Sequence, residues 1–353
     1  MSNYREEQDR HNIMRLREHL KVLPPFLSEF FRNRADYTST RTRLGYAYDL
    51  KLFFGFLISE TRDFKASSMD DFTLADLSHV TADHIEEFLE YLSYYTTNRN
   101  REDTEYKVIN KQEGKSRKLS AIRTMFTYFY KKGKLTSNPA ELVATPPIKE
   151  KAKVYLDVHE IANLLDEVDS GEKLTKKQRS YHSLTRSRDI ALLCLFAGTG
   201  IRISEAVGLN LEDIDMSNGC FRVVRKGGDE AILYFGQEVE EALSEYLENR
   251  HQIPALPGHE QALFLSLQNR RITDRAVQNI VKKYSKISGL KRITPHKLRT
   301  SFGTNMYRQT GDIYLVADLL GHKDVNTTRK NYADTKQEAG RRAVRDLRLR
   351  KDD

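Results

Sequence analysis

Residues 144–153, ATPPIKEKAK, constrain the fold more than any other segment of this chain. Pro146 and Pro147 stiffen the backbone and withhold amide donors from any helix or strand, and the lysines beside them keep the stretch in solvent. It reads as an interdomain linker, so the 353 residues have to be built around two cores rather than one. Hydrophobic residues at 39% and charged residues at 31% suit two globular units with well-solvated surfaces. The organisation that follows is a polar leader (1–24), a first unit (25–145), the linker (146–153), a larger unit (154–335) and a C-terminal tail (336–353).

The first unit reads as all-helical. Tyr46, Leu50, Phe53, Phe54 and Leu57 recur at three- and four-residue steps, the spacing of one helix face, and Thr40 is placed to cap that helix. A second helix begins near Thr81, with Asp83 in its first turn and Ile85, Phe88, Leu89 and Leu92 on one face. A third runs from about Ser116 to Lys131, with Leu119, Ile122, Phe126 and Phe129 inward, until the breakers of GKLTSNP end it. Between Thr96 and Lys118 the chain turns polar and basic, gathering Arg99, Arg101, Lys107, Lys111, Lys115, Arg117 and Lys118.

In the larger unit, 158–168 and 188–196 read as helices, and Gly198-Thr-Gly200 breaks the chain just before Arg202. Residues 221–235 read as two strands around Lys226-Gly227-Gly228, a hairpin signal. Helices follow at 236–249, 273–287, 296–308, 312–320 and about 326–333. The fold class is therefore mainly α with a small β-sheet: a helical unit joined to a mixed α+β unit.

Composition narrows the partners. The formal charge of +8 favours an anionic partner, either nucleic acid or an acidic membrane surface. Two cysteines, Cys194 and Cys220, with no C-x-x-C pair, leave no disulfide framework and no cysteine zinc site. No apolar run approaches the roughly 18 residues of a membrane span, and the start MSNYREEQDRHNIMRLREHL has no signal-peptide core. These features place the chain in the cytoplasm, at the nucleoid if the anion is DNA, and not on a membrane.

Four short stretches carry chemistry, and each alone also has a plain reading. In GTGIRISE a glycine turn feeds a helix start, with Arg202 and Glu205 one turn apart; this is also what a surface ion pair after a loop looks like. In TPHKLR, Pro295 opens a helix that carries His296 and Arg299 on one face. Arginine captures phosphate bidentately and histidine is a switchable acid or base, yet a capped helix with a basic face would read the same. LGH, ending at His322, precedes Tyr332 by ten residues, and a lone tyrosine is usually filler. Lys226 lies at the hairpin turn, where lysines are usually just exposed. Together they make a phosphoryl-transfer set: a nucleophile, guanidinium groups for the phosphate oxygens, and proton donors for the leaving oxygen. Metal-dependent nucleases place carboxylate clusters at that task, and the sequence has no such cluster.

These stretches resemble the tyrosine recombinase (phage integrase) family, which includes the Xer recombinases and the integrases of mobile elements. The resemblance rests on GTGIRISEAVGL, TPHKLRTSFGT and LLGHKDVNTTRKNYA, in the family's order. SRKLSAIRTMFTYFYKKGKLTSNPA and the helix from Thr40 to Leu57 resemble its core-binding domain, so the likeness spans about residues 25–335. It implies a helical core-binding domain that binds DNA and a mixed α+β catalytic domain. It also implies roles. Tyr332 attacks the scissile phosphate and forms a 3′-phosphotyrosyl bond, and Arg202 and Arg299 clamp the non-bridging oxygens. Lys226 protonates the leaving 5′ oxygen, His296 assists proton transfer, His322 hydrogen-bonds the phosphate and Glu205 orients its neighbours. No cofactor is implied, neither metal nor ATP, because the covalent bond conserves the phosphodiester energy.

The sequence departs from the family's common pattern at Thr300, where histidine is frequent, and at Arg225-Lys226-Gly227, where Gly-Lys-Gly is usual. It departs again at Asp334, and the step from His322 to Tyr332 is one residue longer than in many members. The expected function is site-specific recombination by sequential strand exchange through a Holliday junction, on a double-stranded DNA recombination site and by a homotetramer. The tail at 336–353 is expected to dock on a neighbouring protomer. Expected DNA contacts in the first unit are Arg99, Arg101, Lys111, Lys115, Arg117 and Lys118. The biological role is either Xer-like chromosome dimer resolution or integration and excision of a mobile element. The alternatives are a type IB topoisomerase-like relaxing enzyme, or an inactive DNA-binding regulator with the same fold.

Overall fold

The computed structural model describes residues 4–98, 105–148, 154–225, 228–290 and 293–321. The chain divides into two compact units, residues 1–151 and 152–353. It is predominantly helical, with two small antiparallel sheets.

In the first unit, α1 (Tyr4–Leu20), α2 (Leu27–Asn33), α3 (Thr40–Ser59), α4 (Leu74–Ser78) and α5 (Ala82–Tyr91) precede a hairpin. The hairpin pairs β1 (Tyr95–Asn98) with β2 (Glu105–Val108), and α6 (Gln112–Lys131) follows. The core is aromatic. Phe30, Phe53, Phe54, Phe72, Phe88, Phe126 and Phe129 are fully buried, and the Phe53–Phe88 and Phe54–Phe72 rings meet edge-on at 5.1 Å. Such pairs add about 0.5–1.5 kcal/mol each beyond area burial.

Three details correct the sequence reading. The polar leader is a helix: α1 packs on α3, burying Leu16, while Asn12 donates to Thr40 Oγ1 at 3.2 Å. Its apolar residues are too few to show a helical stripe. The cap of α3 is Ser39, whose Oγ accepts from Thr42 N; Thr40 is already helical. And α6 begins at Gln112, four residues before the expected start, with part of the basic stretch ahead of it paired as β1 and β2.

In the second unit, α7 (Val158–Ser170) leads to α8 (Lys176–Thr199), which packs against α7, α10 and α12. Then come α9 (Ile203–Gly208), β3 (Ile214–Asp215), β4 (Cys220–Val224), β5 (Glu230–Tyr234), α10 (Gln237–His251), α11 (Asp274–Ile287), α12 (Pro295–Thr310) and α13 (Ile313–Leu320). The sheet order is β3-β4-β5, with Phe221 opposite Leu233 and both inward. The segment expected as helix 188–196 lies in the second half of a much longer one, Lys176–Thr199. Its polar first turns, opened by a Thr175–Gln178 capping box, hide it from an apolar count. The helix expected at about 326–333 and the tail lie outside the described residues.

Two buried polar anchors hold this unit. Asp189, fully buried in α8, accepts from its neighbour Arg188 (2.7 Å) and from Lys283 Nζ and Tyr284 OH of α11 (3.1 Å each). Ser301, fully buried in α12, accepts from Leu156 N at 2.7 Å, which fixes the segment leading into α7. Removing one member of a buried charged set leaves the others desolvated and unpaired. Asp189→Ala is therefore expected to destabilise the second unit by about 3–5 kcal/mol, read as a lowered urea midpoint of its unfolding transition.

Candidate active site

Four helices of the second unit, α7, α8, α12 and α13, end in a left-handed glycine, and the ends of α8 and α13 are bridged by side chains. At the C-terminus of α8, Gly200 adopts φ +62°, and at the C-terminus of α13, Gly321 adopts φ +60°. Both are left-handed caps, where a side chain is strained. At Gly200 there is also no room: a Cβ would come within 2.5 Å of Phe302 Cδ1 and 2.9 Å of Leu320 Cδ2. The close approach of α8, α12 and α13 thus requires glycine there.

The two arginines singled out from the sequence meet at these helix ends. Arg299, on the buried face of α12, donates through Nη1 to Gly200 O and through Nη2 to Leu320 O. Arg202, the residue before α9, donates through Nη2 to Gly321 O at 3.1 Å and to Leu320 O at 3.4 Å. Residues 118 and 119 positions apart are joined in this way. Cations at helix C-termini lie at the negative end of the helix dipole, so the sites that end α8 and α13 also seat the guanidinium groups.

Glu205 holds Arg202 from the other side. Its buried carboxylate accepts from Arg202 N (2.9 Å) and from Arg202 Nη1 (2.8 Å). It closes the first turn of α9 and orients the guanidinium at once. His296 lies one turn ahead of Arg299, after the Thr294 cap and Pro295. Its ring remains exposed, yet desolvation, followed by the charges of Arg299 and Arg202, lowers its pKa below the ordinary 6.5. Neutral imidazole, able to accept a proton, is thus favoured at neutral pH. Thr300, the departure from the family pattern, turns its hydroxyl onto His296 O at 3.0 Å and so closes the helix backbone.

Arg225, at the end of β4, was not singled out as a site residue. A Cβ on Gly321 would overlap its guanidinium group, so Arg225 lies against the very glycine whose carbonyl Arg202 holds. Only tertiary packing carries that signal; the sequence offered no more than its place beside Lys226. Lys226, His322 and Tyr332 lie outside the described residues, as do Arg99 and Arg101. His322 directly follows Gly321 in the chain.

The remaining basic residues of the first unit divide. Lys111 is the exposed residue before α6, and Lys115 Nζ donates to Ser93 Oγ at 2.7 Å at the surface. Arg117 is half exposed but forms an ion pair with the buried Asp49, its Nη2 lying 2.6 Å from Oδ1. Lys118 is a correction: it is buried and donates to Asn110 Oδ1 at 2.8 Å, a structural contact and not an outward one. A polar groove that the sequence reading missed is lined by Arg34, Thr38 and the α6 residues Ser116, Ser120, Arg123 and Thr127. The visible signal was a hydroxyl stripe at four- and seven-residue steps along α6. Among the described residues, no group of three or more His, Cys, Asp or Glu side chains could hold a metal ion, and no helix is long and apolar enough to cross a membrane.

Residues 155–339 match the phage integrase family. The chain belongs to that family. It is 34% identical to tyrosine recombinase XerC of Caldanaerobacter subterraneus subsp. tengcongensis over 86% of this chain and 82% of the relative. It is 30% identical to tyrosine recombinase XerS of Lactococcus lactis subsp. cremoris over 92% of this chain and 95% of the relative. Its fold is similar to the XerH site-specific recombinase in a post-cleavage complex with palindromic difH substrate. That likeness has TM-score 0.65 at 21% identity and covers 95% of this chain and 89% of the other. A lambda integrase dimer on a COC′ core site is similar at TM-score 0.58 and 18% identity, over 86% and 96%. The protein is thus a DNA recombinase of the tyrosine recombinase family, of Xer type, with the family's helical and mixed α+β architecture.

The shift at His296 makes a prediction. Opposite charge favours the charged form of a titrating group. The His296 ring resonance in NMR should titrate below 6.5 in the free protein, and its midpoint should rise when duplex DNA carrying the target site is bound. Titration at or above 6.5 in the free protein would contradict the reading of its surroundings.

Proposed function

We propose that this protein is a Xer-like recombinase that resolves chromosome dimers at a fixed chromosomal site, working in the cytoplasm at the nucleoid. The observation that carries this is the meeting of Arg202 and Arg299 at the ends of α8 and α13, in a chain that aligns with XerC and XerS along most of its length.

In this reading Arg202 and Arg299 bind the two non-bridging oxygens of the scissile phosphate, with Glu205 fixing Arg202. The Tyr332 oxygen attacks phosphorus as the bond to the 5′ oxygen breaks. The tyrosine proton passes toward His296, and Lys226 protonates the departing 5′ oxygen. His322 hydrogen-bonds the phosphate. The product is a 3′-phosphotyrosyl link, which a 5′ hydroxyl from the partner strand reverses, first through a Holliday junction and then at the second strand pair. The bond is exchanged and not hydrolysed, so neither ATP nor a metal ion is consumed or required. Four protomers act on two synapsed double-stranded DNA sites, and the tail at 336–353 docks on a neighbouring protomer. In the first unit, Lys111, Lys115 and the polar groove along α6 bind DNA, with Arg99, Arg101 and Arg117 contributing charge.

The test is covalent capture. With a nicked target duplex, wild-type protein should accumulate a protein–DNA adduct in chelator without ATP, and Tyr332→Phe should form none. An adduct from Tyr332→Phe would falsify the assignment. Arg299→Lys, which keeps the charge but loses the planar fork, should slow cleavage on the order of 10²-fold. Relaxation of plasmids lacking any target site would favour the topoisomerase-like reading instead. Affinity should fall linearly on a log–log plot against salt, with a shallower slope for Lys115→Glu, measured by fluorescence anisotropy.

A further inference from the structure

Gly321 is the meeting point of three guanidinium groups. Its carbonyl accepts from Arg202, the carbonyl of the preceding Leu320 accepts from Arg299, and the space that a Cβ would fill is taken by Arg225. Arg225 arrives from a different element. It directly follows β4, where its amide donates to Asp229 O at 2.7 Å and its carbonyl accepts from Gly228 N at 3.0 Å. Its backbone is thus fixed by the hairpin while its side chain reaches across to the end of α13. Three planar cations on one turn of backbone form a site for a group with several anionic oxygens, and the Coulomb attraction of each grows as solvent is displaced.

We infer that Arg225 is a third phosphate-binding arginine of the active site, seated there because residue 321 is glycine, and that it neutralises charge on the scissile phosphodiester alongside Arg202 and Arg299. This rests on the recombinase reading above. Arg225 stands where the family commonly has glycine ahead of the hairpin lysine, so its position gives this chain a cation that the usual pattern lacks. Its role is charge on phosphorus-bound oxygens and not delivery of a proton, because guanidinium does not deprotonate at neutral pH.

Two DNA substrates separate those roles: the ordinary target site, and one with sulfur replacing the bridging 5′ oxygen. When the Tyr332 oxygen bonds to phosphorus, the phosphorus–sulfur bond breaks and the thiolate departs without needing a proton. Arg225→Ala should slow covalent-adduct formation by about 10- to 100-fold on both substrates, somewhat less than the loss typical for a primary oxyanion donor. Arg225→Lys should recover part of the rate on both. Lys226→Ala serves as the contrast, slow on the oxygen substrate and restored on the sulfur one. Gly321→Ala should expel the guanidinium and lose as much as Arg225→Ala, with little further loss in the double variant. Thermal unfolding and binding to a DNA site of an added Tyr332→Phe background report whether each variant is folded. If Arg225→Ala does not fold, Arg225→Gln is read in its place. Restoration of Arg225→Ala by sulfur, or an unchanged rate on both substrates, overturns the inference. Failure of the recombinase reading appears separately, as wild-type protein forming no adduct on either substrate.

Discussion

The proposed active site depends on two helices ending close together in left-handed glycines. Helix C-termini leave carbonyls without intrahelical partners, and at Gly200, Leu320 and Gly321 guanidinium groups satisfy them. The same contacts close the helices and position the guanidinium groups, so neither can be altered alone. Gly200 shows how little freedom remains, since even a methyl group would strike Phe302 and Leu320.

Around this junction polar anchors add to the apolar packing of the second unit. Asp189 ties α8 to α11, and Ser301 ties α12 to the segment that precedes α7. Both are fully buried on helices that also form the site: α8 ends at Gly200, and α12 carries His296 and Arg299. A shift of either helix would displace the guanidinium groups, and small displacements of positioning groups are costly to reaction rates. The capping role of Glu205 belongs to the same design, because the first turn of α9 cannot form without placing Arg202.

Much of this was legible in the sequence where the chemistry is local. Arg202 with Glu205, and His296 with Arg299, are one-turn pairs beside strong helix-start signals, and the structure keeps them on shared turns. The strands at 221–235 announced themselves by alternation and glycine. What sequence could not supply was long-range. The carbonyl acceptors of Arg202 lie more than a hundred residues away, and Arg225 meets Gly321 only through tertiary packing. Lys118 misled for a related reason. In a run of basic residues it reads as solvated, but it falls four residues before Ile122, on the inward face of α6, and Asn110 rather than water meets its ammonium. Helix α1 escaped notice because polar contacts to α3, and few apolar ones, hold it in place.

The choice of partner for the arginines bears on how such a site works. A carboxylate would hold a guanidinium strongly, and a phosphate would then have to displace it or face its repulsion. Backbone carbonyls orient a guanidinium group without adding a charge of their own, because a neutral dipole satisfies donors without cancelling a cation. Arg202 is the instructive mixed case: one nitrogen goes to the Glu205 carboxylate and the other to Gly321 O. The carboxylate there sits at the helix start and fixes direction, while the carbonyl side faces the end of α13 with Arg225 and Arg299. The charge of Arg202 is therefore compensated from the side of Glu205, while the Gly321 carbonyl sets its direction without adding a charge.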